Sequence, residues 1–146
     1  MAIGSIRNMA GGSGNVPEPS ELLSLGSEYW SISNGAISSY TPGTSINIQS
    51  YRSGTTWISC SKVVNIKHGA FIHVEHEKEG GYTEYVRVYD TSTSTWTTIY
   101  TGSMNATSYN VNLSSYEGKD IQVSVGVNNG STVTLQFSWN KVNIMY

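Results

Sequence analysis

Residues 113–146 read LSSYEGKDIQVSVGVNNGSTVTLQFSWNKVNIMY, and their periodicity decides the fold class. Ile121, Val123, Val125 and Val127 alternate with Gln122, Ser124 and Gly126, while Val133, Leu135, Phe137 and Trp139 alternate with Thr134, Gln136 and Ser138. A repeat of two built from β-branched and aromatic residues marks strands buried on one face. The link between them predicts a hairpin. A two-residue Asn129-Gly130 turn would set Val127 against Thr132 and mix core with solvent side chains. A three-residue loop, Asn128-Asn129-Gly130, instead pairs Val125 with Val133, Val123 with Leu135 and Ile121 with Phe137, with Gly130 left-handed. A one-residue slip turns every side chain to the other face, so the three-residue register is the one expected.

Outward from this stretch, short alternating segments recur. Trp30 and Ile32, then the Asn34-Gly35 turn, then Ala36 to Tyr40 predict a hairpin closed off by Thr41-Pro42-Gly43. Ile46 and Ile48 mark another strand. Ile58, Cys60, Val64 and Ile66 share a face that Lys62 interrupts, which predicts a bulge or a break. Ala70, Ile72 and Val74 alternate with Phe71, His73 and Glu75, and Val86 and Val88 alternate with Tyr85, Arg87 and Tyr89. A three-residue loop, Glu79-Gly80-Gly81, would make these two segments a hairpin with Glu75 opposite Tyr85 and His73 opposite Arg87. The result would be one solvent-facing patch of His73, Glu75, Tyr85, Arg87 and Tyr89. The count is about 8–10 strands with turn signals between them, an antiparallel β-sandwich or barrel.

The segment Leu113-Ser114-Ser115-Tyr116-Glu117-Gly118-Lys119, the strand from Ile121 to Val127, and Trp139-Asn140-Lys141-Val142-Asn143-Ile144 together resemble the C-terminal half of galactose-binding-like jelly-roll modules. The resemblance spans roughly the last third of the chain well and the remainder loosely. It implies an all-β antiparallel jelly-roll sandwich of the carbohydrate-binding-module type. Many relatives carry Asp near the last strand, where this chain has Asn140-Lys141. An ammonium group is no ligand for Ca²⁺, which argues against a structural calcium ion there.

Composition agrees with an all-β recognition domain. The 146 residues include ten tyrosines, 23 serines and only 12% charged residues. The net charge is -2 without a basic run, so neither nucleic acid nor an anionic membrane is an expected partner. No apolar run is long enough to span a bilayer as a helix. The single cysteine, Cys60, sits in a strand pattern and reads as a buried small hydrophobe. Residues 1–26 differ from the rest, with Gly4, Gly11, Gly12, Gly14, Pro17 and Pro19 breaking regular structure. They read as an extended arm without a signal peptide, ending in a helical turn capped by Ser20, with the sandwich domain occupying 27–146.

Catalytic and metal motifs fare poorly. His73 and His76 are three apart on a strand and point to opposite faces, so they cannot share an ion. Glu75, Glu77, Glu79 and Glu84 cluster near an expected hairpin tip where water solvates them, unlike the cleft carboxylates of a glycosidase. No nucleophile elbow, phosphate loop or dinucleotide fingerprint is present. No catalytic residue, metal or cofactor is therefore expected.

Tyrosine rings stack on the C–H faces of sugars while Arg, His and Glu satisfy hydroxyls, so the patch suits a glycan; Tyr and Arg equally suit a protein interface. The expected function is a non-enzymatic structural or adhesion protein of a bacteriophage particle. It would fold in the host cytoplasm, oligomerise with itself, join other virion subunits through its arm, and touch a cell-surface or matrix glycan. The alternative is an extracellular carbohydrate-binding module of a polysaccharide-degrading enzyme. A small hydrolase or lyase is the third reading.

Overall fold

The computed structural model describes residues 20–146. Twelve strands follow in chain order: β1 (Ser20–Glu21), β2 (Trp30–Ser33), β3 (Gly35–Thr41), β4 (Ser45–Ser50), β5 (Gly54–Cys60), β6 (Val64–Asn65), β7 (Phe71–His76), β8 (Thr83–Asp90), β9 (Thr95–Ser103), β10 (Ser108–Asn112), β11 (Asp120–Asn129) and β12 (Leu135–Met145). Three single 3-10 turns are the only helical pieces among the described residues. Every strand pairing is antiparallel. Sheet I runs β10-β7-β12-β4-β3, with β1 also on β12; sheet II runs β2-β5-β11-β8-β9, with β6 also on β11. The two sheets form a jelly-roll β-sandwich, one of the two architectures that the alternation allows and the one that the resemblance implies.

Side-chain alternation sorts as expected. Ile46, Ile48, Ile72, Val74, Phe137, Trp139, Val142 and Ile144 of sheet I meet Ile58, Cys60, Val86, Val88, Ile121, Val123, Val125 and Val127 of sheet II in one core. The break at Lys62 is real: β5 ends at Cys60, β6 starts at Val64, and Ile66 returns to the core at 1% exposure.

The expected hairpins are a different matter, because three of them do not form. Strand β11 lies between β5 and β8, with Val125 opposite both Ile58 and Val86. Strand β12 lies in the other sheet, with Phe137 opposite Ile48. Val133 pairs with nothing in a ladder and is 56% exposed, and Gly130 is not left-handed. Likewise β7 pairs with β10 and β12 while β8 pairs with β11 and β9. Strand β2 pairs with β5, not with β3. The physical reason is common to all three. A strand buried on one face is equally served by a neighbour beside it or by a sheet stacked above it, and in a sandwich the chain repeatedly crosses to the facing layer. True hairpins occur at β3–β4, where Gly43 is left-handed at φ 73°, and at β8–β9, where Ser94 takes φ 54°.

At the N-terminal side, residues 20–26 are stitched into the sandwich. Ser20 and Glu21 pair with Ile144 and Asn143 of β12, and Leu22 and Leu23 are buried in the core. The expected turn forms as a 3-10 turn, Leu22–Ser24, without a side-chain cap from Ser20. The rest of the expected arm, residues 1–19, lies outside the described residues.

Candidate functional site

Strand β8 alternates strictly, with Val86 and Val88 fully buried and Tyr85, Arg87 and Tyr89 half-buried on the outer face of sheet II. What these three side chains do there depends on the strands beside them. The central strand β11 places Gly126 next to Tyr85, Ser124 next to Arg87, and Gln122 next to Tyr89. On its other side β5 sets Trp57 against Gly126 and Ser59 against Ser124. Small residues at the centre let large side chains from both flanks lie flat across it. A Cβ at position 126 would stand 2.5 Å from Trp57 Cε3, so the indole occupies the space that glycine leaves.

The outcome is a continuous aromatic strip. Trp57 and Tyr85 have ring centroids 5.7 Å apart, and Tyr89 and Trp96 are 5.2 Å apart. Arg87 joins the two pairs. Its Cζ lies 3.9 Å from the Trp57 ring centroid and 4.3 Å from that of Trp96. A shift in the β8–β9 register between Val86 and Arg87 helps bring this about by setting Thr98 beside Arg87 and Trp96 beside Tyr89. A cation between two indole faces gains about 0.5–2 kcal/mol from each. Burial pushes the guanidinium pKa below its ordinary value, because desolvation disfavours the charged form.

Against the middle of the strip, at Trp57, Arg87 and Trp96, lies an open groove of about 310 Å³. Trp57, Arg87 and Trp96 form its aromatic-cationic part, and Ser31, Ser33, Ser59, Ser61 and Gln122 contribute polar groups along it. Ser59 donates to Ser124 Oγ at 3.0 Å, and Gln122 Nε2 donates to the Ser61 carbonyl at 3.0 Å. Among the described residues no Asp, Glu or His lines this groove.

His73 and Glu75 stand elsewhere. They project from β7 on the outer face of sheet I, on the opposite side of the sandwich from Arg87. Their neighbours are Asn110 and Asn143 for His73, and Ser108 and Lys141 for Glu75. His73 Nε2 lies 2.8 Å from Glu75 Oε2 and Nδ1 lies 2.7 Å from Asn110 Oδ1. The hydrogen bond to Glu75 raises the His73 pKa and lowers that of Glu75. The single patch expected from the sequence is therefore two: Tyr85, Arg87 and Tyr89 on one face, His73 and Glu75 on the other. The cause is the missing β7–β8 hairpin.

Glu84 is also misplaced by the sequence reading. It is fully buried, not solvated, and its carboxylate accepts hydrogen bonds from His76 and Tyr109. His76 points inward while His73 points outward, as the strand spacing predicts. Among the described residues no three His, Cys, Asp or Glu side chains gather in a way that holds a metal ion.

Sequence reading missed Trp57 and Trp96. The signal for Trp57 was present: it sits one step out of phase with Thr56, Ile58 and Cys60, all fully buried. An outward tryptophan beside a strand with Gly126 and Ser124 at its outward positions marks a ring lying across the sheet.

No protein-family model matches the sequence, and no curated protein matches it. Solved structures are similar in three dimensions. A mutant of CBM29-2, a family 29 carbohydrate-binding module studied for ligand recognition, aligns with a TM-score of 0.57 at 8% identity, over 88% of this chain and 92% of its own. A second CBM29-2 mutant, complexed with cellulohexaose, gives a TM-score of 0.56 at 8% identity over 86% and 89% of the two chains. A third, complexed with mannohexaose, gives 0.51 at 8% identity over 79% of each. At such identity the likeness is one of fold: this chain shares the β-sandwich of the family 29 carbohydrate-binding modules.

Proposed function

We propose that the protein is a non-catalytic carbohydrate-binding domain that takes a glycan along the outer face of sheet II. The observation that carries this reading is the strip Tyr85–Trp57–Arg87–Trp96–Tyr89, pre-formed and bordered by hydroxyls. Sugar rings present apolar C–H faces to aromatic rings and hydroxyls to polar neighbours, and a rigid strip supplies both with little ordering cost. Among the described residues the groove lining offers no carboxylate pair of the glycosidase kind. Structural neighbours solved with cellulohexaose and mannohexaose add support for a glycan ligand.

The free-module setting is preferred to the particle-adhesion setting. Its support lies in the sandwich itself, whereas anchoring to a particle would fall to an arm of which residues 1–19 are not described. Retention on a panel of immobilised polysaccharides tests the proposal. Trp57→Ala and Tyr85→Ala are each expected to weaken retention roughly two- to tenfold, the equivalent of about 0.5–1.5 kcal/mol per aromatic contact. His73→Ala, on the far face, is expected to leave it unchanged. Undiminished retention in the Trp57 and Tyr85 variants, or a loss confined to the His73 variant, would remove sheet II as the site.

A further inference from the structure

Among the described residues Arg87 is the sole charged side chain lining the groove, and it takes part in none of their salt bridges. The acids that flank it on β8 face the other way. Glu84 points into the core, where His76 and Tyr109 occupy both its oxygens. Asp90 is 6% exposed and is taken up by Ser92 and by Lys119 Nζ at 3.3 Å. The indoles of Trp57 and Trp96 cover the guanidinium but accept none of its N–H groups in plane. Arg87 Nε is buried with no hydrogen-bond partner among the described residues. A buried guanidinium N–H without an acceptor is costly to keep, and on a cationic group the acceptor that pairs best is an anion.

We propose, on the footing of the glycan reading above, that the ligand is an acidic glycan whose carboxylate or sulfate group pairs with Arg87. A guanidinium is a planar fork of donors that matches the two oxygens of such a group. Clamping between two rings fixes the fork before the ligand arrives, which removes most of the ordering cost that a free arginine would pay. Ser31, Ser33 and Ser59 supply hydroxyls near the anion, while Tyr85 and Tyr89 flank it with ring faces for the adjoining sugars.

The test uses the full chain and immobilised polymers in matched pairs: polygalacturonate against its carboxyl-reduced form, and dextran sulfate against dextran. Cellulohexaose and mannohexaose in solution serve as neutral ligands. The proposal expects retention on at least one acidic polymer and roughly ten- to hundredfold weaker binding of its neutral partner, the range of one charge-assisted hydrogen-bonded contact. The preferred pair distinguishes carboxylate from sulfate. Arg87→Gln should erase the preference, and Arg87→Lys, which keeps the charge and loses the fork, should restore only part of it. Equal binding of both members of each pair, or binding of neutral sugars alone, overturns the acidic preference and leaves the glycan face standing. No binding to any acidic or neutral sugar overturns both.

Discussion

Glu84 and His76 join the two sheets through the core: Glu84 Oε1 on β8 accepts from His76 Nε2 on β7 at 2.7 Å, with both side chains essentially inaccessible to water. Tyr109 on β10 donates to the second carboxylate oxygen at 3.0 Å. The other histidine nitrogen, Nδ1, faces the Glu77 carbonyl at 2.6 Å, so both nitrogens meet acceptors and the imidazolium form is favoured. The two layers, which meet mainly through apolar side chains, are thereby tied at a fixed point.

The pair makes stability depend on pH in a definite direction. Burial works against the charged His76, but the hydrogen bonds to Glu84 and to the Glu77 carbonyl outweigh it, and the pKa is raised from its ordinary 6.5. A raised histidine stabilises the fold fully below that ordinary value and loses the contribution as pH climbs through the raised one. Thermal midpoints are therefore expected to fall as pH rises above about 6.5. Glu84→Gln is expected to cost about 3–5 kcal/mol at pH 6 by leaving a buried partner uncompensated. The gap to the wild type should narrow at pH 9. Parallel urea-unfolding profiles for the two proteins across this range would refute the linkage.

Gly126 is a packing requirement of the aromatic strip. Its φ is not positive, so the obstacle to an added methyl is the Trp57 ring, which supplies its nearest neighbours. Gly126→Ala is expected to displace the indole, lower stability by about 1–3 kcal/mol through overpacking, and weaken glycan retention together with it. A crystal structure of the variant with Trp57 still stacked on Arg87 would contradict this account.

Asn129 holds the crossover from sheet II to sheet I. It is fully buried, and its Nδ2 donates to the carbonyls of Ser50 at 2.9 Å and Val133 at 3.0 Å, while Oδ1 accepts from the Ser131 N–H at 3.0 Å. Asn129→Ala leaves these groups without their partner and should cost about 2–3 kcal/mol in chemical denaturation. Asn129→Asp keeps the acceptor and loses the donor, so it should be no better tolerated. A loss below about 0.5 kcal/mol in the alanine variant would show that water replaces the amide.

Cys60 is fully buried and its thiol pKa is pushed up, chiefly by burial. Thiolate is the reactive form, so the native protein should resist thiol reagents and react at the rate at which it unfolds. Rapid stoichiometric labelling in buffer without denaturant would mean that the edge of sheet II opens locally.

The alternation by itself settled which side chain of each strand faces the core: Val86 and Val88 in, Tyr85, Arg87 and Tyr89 out, with a break at Lys62. It did so because the pleat turns successive residues to opposite sides whatever the strand's neighbour. Asn129-Gly130 carries a hairpin signal, yet Asn129 spends its amide on Ser50 and Val133 and hands the chain to the other layer. Strand partnership, and with it the membership of the aromatic strip on sheet II, was decided by the tertiary structure. Two stacked sheets and two adjacent strands bury the same residues, so periodicity cannot tell them apart. The closure of distant β5 and β8 on β11 brought Trp57 to Arg87, the shifted register of the β8–β9 hairpin brought Trp96, and the pairing of β7 with β10 and β12 sent His73 and Glu75 to the far side.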